Sequence, residues 1–227
     1  MNKLPSSKRA INQFLAKAAT VKPPAKGSTQ RLIFAMDATA SRSPTWDLAC
    51  SVHAELFGAV RDVGNIHVQL VYFRGFGEFR ASPWKSTPDA LLNTMLGVRC
   101  MGGRTQILRV VEHARRECAL HPIRALLLVG DCFEENPKEV VAAAGQLAVY
   151  GVPMFVFQEG HDPYAAQTFS DLARITRGAH VPFRQGSAEE LRELLRAVAA
   201  YAAHGRSGLS AALNNPMAHK LLTQIDR

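Results

Sequence analysis

The 227-residue chain is 47% hydrophobic, long enough for one well-buried domain and short for two. Its formal charge of +8 is carried almost wholly by residues 1–31, where Lys3, Lys8, Arg9, Lys17, Lys22, Lys26 and Arg31 stand without a single acid, so the remainder is close to neutral. A basic globular face for nucleic acid is therefore not implied; in addition no apolar run approaches the ~18 residues of a membrane span, and the basic start lacks the apolar stretch of a secretory signal.

Residues 1–29 read as a flexible basic leader able to contact an acidic surface, ending in the Pro/Lys/Gly-rich stretch VKPPAKGSTQ. Apolar and amphipathic segments then alternate through residues 30–204 as one domain. The apolar runs predict strands over Leu32–Met36, Ile66–Phe73, Glu78–Ala81, Ala125–Val129, Met154–Phe157 and His180–Phe183. Helical spacing predicts Thr45–Val63, Asp89–Val98, Gln106–Leu120, Lys138–Tyr150, Tyr164–Thr176 and Ala188–Ala203. Ser43-Pro44, Thr87-Pro88, Asn136-Pro137 and Asp162-Pro163 each place a capping oxygen before a proline suited to a first helical turn. Asn136 and Ser187 add a glutamate three residues on, the spacing of a capping box. Residues 205–227 form a tail with scattered leucines around Pro216, compatible with a short docked helix.

Near-continuous apolar strands such as LIFAM and ALLLV belong in a parallel sheet covered on both faces. The turn in IHVQLVYFRGFGEFRAS is too short for a helical crossover, so its two strands pair antiparallel. The expected fold is α/β: a doubly wound, mostly parallel six-stranded sheet with one antiparallel edge strand and helices on both faces. Cys50, Cys100, Cys118 and Cys132 form no C-x-x-C pair, which reads as reduced, buried thiols of a cytoplasmic protein. Trp46 and Trp84 read as core or edge cover.

Three separated segments carry oxygen ligands. Asp37-Ala38-Thr39-Ala40-Ser41 follows the first strand, Gly102-Gly103-Arg104-Thr105 precedes a helix, and Gly130-Asp131 follows the strand ALLLV. In a doubly wound sheet, loops leaving neighbouring strand ends meet where strand order reverses, and there two carboxylates and three hydroxyls can converge. Such a set suits a hard divalent cation, Mg²⁺ or else Mn²⁺ or Ca²⁺. Gly102 and Gly103 let the second loop come close, and the helix after Thr105 is placed to favour an external carboxylate if its N-terminal N–H groups face the site. No histidine or cysteine spacing matches a zinc site, so zinc is not expected.

D-x-[S/T]-x-S after the first strand, a distant threonine in a Gly-Gly loop and an aspartate after the fourth strand together resemble the metal-ion-dependent adhesion site of von Willebrand factor type A (VWA) domains. The hairpin fits that family too, and the resemblance spans roughly residues 30 to 204. It implies that Thr39, Ser41 and Thr105 offer hydroxyls while Asp37 and Asp131 ligate directly or through water. A non-catalytic adaptor would follow, binding an Asp or Glu of a protein partner through the ion. Serine is commoner at the position of Thr39; the hydroxyl is kept and the added methyl narrows the site. Arg104, Glu134, Glu135 and His161 would then stand on the rim and tune the partner, with Gln158, Glu159 and Asp162 on the same sheet edge.

Two rival readings follow from the same residues. FAMDATAS and LLLVGDCFEE resemble haloacid-dehalogenase-type phosphohydrolases, with Asp37 as nucleophile; against this, Thr39 replaces the second carboxylate and the chain enters a helix at once. Arg74-Gly75-Phe76-Gly77-Glu78-Phe79 resembles the aromatic strand of RNA-recognition motifs, but Glu78 stands where an aromatic is wanted and a sheet covered on both faces leaves no platform for bases.

Overall fold

The computed structural model describes residues 29–47, 50, 66–212 and 214–225. The basic leader through residue 28 and most of the helix expected over Thr45–Val63 lie outside the described residues. In chain order the elements are β1 (Gln30–Asp37), a 3₁₀ turn (Ala40–Thr45), β2 (Ile66–Arg74), β3 (Glu78–Ala81), α1 (Pro88–Leu96), α2 (Ile107–Leu120) and β4 (Ala125–Gly130). There follow α3 (Pro137–Ala148), β5 (Met154–Glu159), α4 (Pro163–Thr176), β6 (Ala179–Phe183), α5 (Ala188–His204), α6 (Arg206–Ala211) and α7 (Pro216–Ile225).

The strands form one sheet in the order β3-β2-β1-β4-β5-β6. All neighbours run parallel except β2 and β3, the antiparallel edge hairpin expected from its short turn. Every predicted strand is present, and the sheet is the doubly wound one that the apolar runs imply. Strand pleating sorts the side chains between two cores. Leu32, Phe34 and Met36 of β1 face one core, with Leu91 and Met95 of α1, Leu194 and Val198 of α5, and Leu221 of α7. Ile33 and Ala35 face the other, with Val110 of α2, Val140 and Leu147 of α3, and Phe169 and Leu172 of α4. Fully burying a Leu, Ile, Val or Phe contributes about 1.5–3 kcal/mol each, so every central strand is held from both faces.

Trp46 is core, its indole N–H donating to the Val98 carbonyl at 3.2 Å, and Trp84 covers the sheet with its N–H on Glu117 at 3.0 Å. Asn136 and Asp162 cap their helices as anticipated, accepting from the N–H groups of Lys138 (3.1 Å) and Ala165 (2.6 Å). Ser187 accepts more loosely from Glu190 at 3.4 Å, while Thr87 makes no side-chain cap bond. Pro44 does not open a helix. It lies inside the 3₁₀ turn, because the chain tightens on leaving β1, with the Arg42 N–H donating to the Thr39 carbonyl three residues back at 3.1 Å.

The tail folds into α6 and α7, with Leu209, Ala218 and Leu221 buried in the first core. At its end, Gln224 behaves as one residue of an added strand. Its side-chain oxygen accepts the His180 N–H at 2.9 Å, and its amide donates to the His180 carbonyl at 3.0 Å, closing part of the β6 edge. Gln224→Ala removes both bonds, and at about 0.5–1.5 kcal/mol per hydrogen bond the expected loss is ~1–3 kcal/mol, read from the shift in urea midpoint.

Candidate metal centre

Strand order reverses between β1 and β4, so the carboxyl ends of these strands open a crevice. The β1–β4 register pairs Met36 with Val129, which brings Asp37 beside Gly130 and puts Asp131 at the mouth. A Cβ at Gly130 would lie in ordinary contact with the Asp37 side chain, 3.5 Å from its Cβ, which shows how closely the two strand ends approach. Asp37 is 1% exposed and Asp131 is half-buried.

From Asp37 a chain of contacts runs around the mouth. The Thr39 N–H donates to Asp37 Oδ1 at 2.7 Å, and the hydroxyls of Thr39 and Ser41 lie 3.0 Å apart. Ser41 and Asp131 are both within hydrogen-bonding reach of the Cys132 thiol. Carboxylate oxygens of Asp37 and Asp131 and the Cys132 sulfur lie within 4.8 Å of one another. The arrangement leaves Asp37 Oδ2 and Asp131 Oδ1 buried without a hydrogen-bond partner. Two unsatisfied carboxylate oxygens side by side carry a cost that a cation would cancel, so the donor set fits a divalent ion.

Burial lifts the Asp37 carboxyl from its ordinary 3.8 to about 6. Hydrogen bonds from Thr39 oppose the lift, the Asp131 charge adds to it, and the Arg42 charge lowers it slightly. Cys132 is pushed far up by burial and by the same two carboxylates.

The second loop arrives by backbone stitching. The Met101 N–H donates to the Ala38 carbonyl at 3.1 Å and the Arg104 N–H to that of Gly75 at 3.2 Å. Gly103 is what permits this: a Cβ there would fall 2.0 Å from the Gly75 carbonyl oxygen, whereas Gly102 has open space around it. Thr105 is buried beside the site with its hydroxyl engaged by the third loop. It accepts the Glu134 N–H at 3.0 Å, and its own N–H donates to the Glu134 carboxylate at 3.2 Å. Described contacts thus join Asp37, Thr39, Ser41 and Asp131 in one network, and Thr105 to Glu134 next to it.

One expectation is overturned. The N-terminal N–H groups of α2 do not await an external carboxylate, because Glu135 takes those of Ile107 and Leu108, the latter at 2.9 Å. A glutamate already tethered beside a helix N-terminus outcompetes an anion that must be brought in. Of the residues expected on the rim, Arg104, Glu134 and His161 are exposed. Gln158 and Glu159 are not on it. Both are buried in β5, where Gln158 donates to the Asp162 carbonyl at 2.8 Å and shares a 2.9 Å bond with His180.

Sequence reasoning missed Arg42 and Cys132. Arg42 is 1% exposed, with its Nε 2.9 Å from a carboxylate oxygen of Glu159, itself 5% exposed. That is ion-pair distance, although the N–H is not aligned on the oxygen as a hydrogen bond. Glu159 also accepts from the Thr45 hydroxyl (3.1 Å) and the Gly186 N–H (2.9 Å), fastening the 3₁₀ turn to the β5 and β6 ends. Arg42 directly follows the D-x-T-x-S run, but its partner is remote in sequence and nothing local marks the pair. The signal for Cys132 was its adjacency to Asp131.

No protein-family model matches this sequence, and no curated protein is recognisably similar to it in sequence. Solved structures do resemble it. A von Willebrand factor type A protein from Catenulispora acidiphila superposes with TM-score 0.63 at 16% identity, over 78% of this chain and 43% of the other. The SpRpn10 VWA domain does so with TM-score 0.60 at 10% identity, over 73% and 94%. Proximal thread matrix protein 1 from the mussel byssus gives TM-score 0.60 at 18% identity, over 78% and 48%. This chain therefore spans less than half the length of the first and third. At such identities the likeness is one of fold, and the fold is that of a VWA domain.

Two outcomes follow. Asp37 keeps a folded-state pKa near 6 against 3.8, so ionising it costs the cation-free fold stability as pH rises from about 4 to about 6, on the order of 3 kcal/mol in full. Asp37→Asn should thus stabilise chelator-treated protein at pH 7 by roughly 1–3 kcal/mol and leave it unchanged at pH 3.5, as measured by denaturant melts. Arg42→Ala strands the Glu159 carboxylate in the interior and should cost about 3–5 kcal/mol by the same measurement.

Proposed function

We propose that this chain is a cytoplasmic protein-interaction adaptor whose Asp37, Thr39, Ser41, Thr105 and Asp131 hold a divalent cation, Mg²⁺ or else Mn²⁺ or Ca²⁺, and that it catalyses no reaction. The single observation that carries this reading is the pair of buried, partnerless carboxylate oxygens on Asp37 and Asp131 at the sheet's switch point. The VWA fold supports it by placing those loops together. When bound, the ion supplies a positive centre with a position open to the Asp or Glu of a partner protein.

The chain's own residues set the terms. Asp37 and Asp131 supply the two negative charges that balance a divalent ion. Thr39 and Ser41 supply neutral oxygens, and Thr39 also orients the Asp37 carboxylate through its backbone N–H. Thr105 is assigned the same role with the lone pair that the Glu134 N–H leaves free. Arg104, Glu134 and His161 are exposed, and on this reading they would meet a partner's flanking residues. No helix among the described residues is long and apolar enough to cross a membrane. Within the Arg74–Phe79 segment that an RNA-binding reading would use, Phe76 is exposed, while Phe79 packs on His113 and under Arg109 and Glu78 pairs with Arg74, so one free ring stands there in place of a paired platform.

Capture of a protein partner from the native lysate should be abolished by EDTA, restored by added Mg²⁺, and absent in Asp131→Ala. Capture unchanged by EDTA overturns the mechanism, and turnover of a phosphate ester lost in Asp37→Asn replaces it with the phosphohydrolase. Ion binding requires the ionised Asp37, so calorimetry should show affinity falling as pH drops below about 6.

A further inference from the structure

Of the four cysteines, three sit where a structural thiol belongs. Cys50 and Cys100 pack against one core and Cys118 against the other. Cys132 packs against neither. Its half-buried thiol instead faces Asp131, Ser41 and the Asp37 carboxylate. The Cys132 sulfur thus has carboxylate neighbours in place of the apolar packing of the other three. We propose that Cys132 is a ligand of the cation held by Asp37 and Asp131, so that the site takes a thiophilic divalent ion such as Zn²⁺ in preference to Mg²⁺. The proposal rests on the reading that a cation occupies this site, and it changes which one.

The placement of the sulfur follows from the chain. Adjacent residues in a strand point to opposite faces, which would turn Cys132 away from Asp131. Here β4 ends at Gly130 and the chain bends at Asp131, so both side chains turn toward the same space. The next residue anchors the bend: Phe133 is 4% exposed and packs edge-on against Phe169 at 6.3 Å.

A second, independent observation points to a ligand. The Asp37 Oδ2 atom is buried and partnerless, on a side chain 1% exposed that belongs to the same close group as the sulfur. Zinc holds carboxylate oxygens at ~2.0–2.2 Å and thiolate sulfur at ~2.3 Å, so tetrahedral ligands sit about 3.3–3.7 Å apart. Groups now within 4.8 Å reach that spacing by about 1 Å of side-chain adjustment. Mg²⁺ takes oxygen and leaves a thiol alone, whereas Zn²⁺ and Co²⁺ accept sulfur. Two carboxylates and a thiolate give three protein ligands and an open fourth position. The balance is simple: the S–H bond breaks, an S–metal bond forms, and the proton leaves to solvent without any change of oxidation state.

The test uses the full chain with Co²⁺ as a spectroscopic stand-in for Zn²⁺. The wild type should show a sulfur-to-cobalt charge-transfer band in the near ultraviolet. Cys132→Ser should lose that band and lower Zn²⁺ affinity about 10-fold or more in competition with a chromophoric chelator, with Mg²⁺ affinity unchanged. Asp37→Asn and Asp131→Asn should weaken Co²⁺ binding and the band with it although every cysteine is intact; wild-type affinity and band in both would show that the carboxylates do not share the ion with the sulfur and overturn the proposal. If Co²⁺ binds the wild type without the band, and Zn²⁺ affinity is the same in Cys132→Ser, Cys132 is no ligand and the oxygen-only site stands. Failure of Mg²⁺, Zn²⁺ and Co²⁺ alike to bind the wild type would remove both readings. Circular dichroism of each variant separates lost ligation from lost fold.

Discussion

The mouth of this molecule is organised by a fully buried carboxylate, Asp37, set close to a half-buried one, Asp131. Asp37 ends the central strand and Asp131 follows its neighbour, and each leaves one oxygen with nothing to accept. A protein interior tolerates such a pair only when positive charge or protons offset it. The nearby cation of the chain, Arg42, is turned to Glu159 at 2.9 Å. Its charge lowers the Asp37 pKa only as the smallest of several influences. The residual demand for positive charge is the physical basis of the metal reading.

The surrounding contacts make sense as ways of holding that demand in place. Gly103 brings the second loop against the hairpin backbone, and the Arg42–Glu159 pair ties the 3₁₀ turn to the far half of the sheet. Glu134 and Glu135, which look like free rim charges in sequence, bind backbone N–H groups of the neighbouring loop and helix. They join the second and third ligand loops into one unit. Rigid neighbours of this kind keep two like charges from swinging apart to relieve their repulsion.

The fold was legible because hydrophobic period and turn chemistry agree at every strand. LIFAM and ALLLV could only be buried on both faces, and the short Gly-containing turn after Arg74 left the hairpin no choice but to reverse. The D-x-T-x-S run and Gly130-Asp131 were legible as ligand carriers because the doubly wound topology puts strand ends together. What stayed hidden depended on long-range pairing or on local departures from regular geometry. Arg42 finds its acid only in the folded chain, Cys132 turns inward only because the strand stops two residues before it, and Glu135 caps a helix that begins 28 residues before it. The 3₁₀ turn was masked by Ser43-Pro44, a dipeptide with a helix-start signature that the chain uses inside a tighter coil.

The glutamine at the end of α7 has a consequence for solubility. The β6 strand is the outermost on its side, and Gln224 occupies the N–H and carbonyl of His180 that would otherwise face outward. A chain deprived of this helix would present an apolar strand with free backbone groups, the template on which a neighbouring molecule adds its own strand. The last helix thus acts as a guard against self-association, at the sheet margin opposite to that bearing the hairpin.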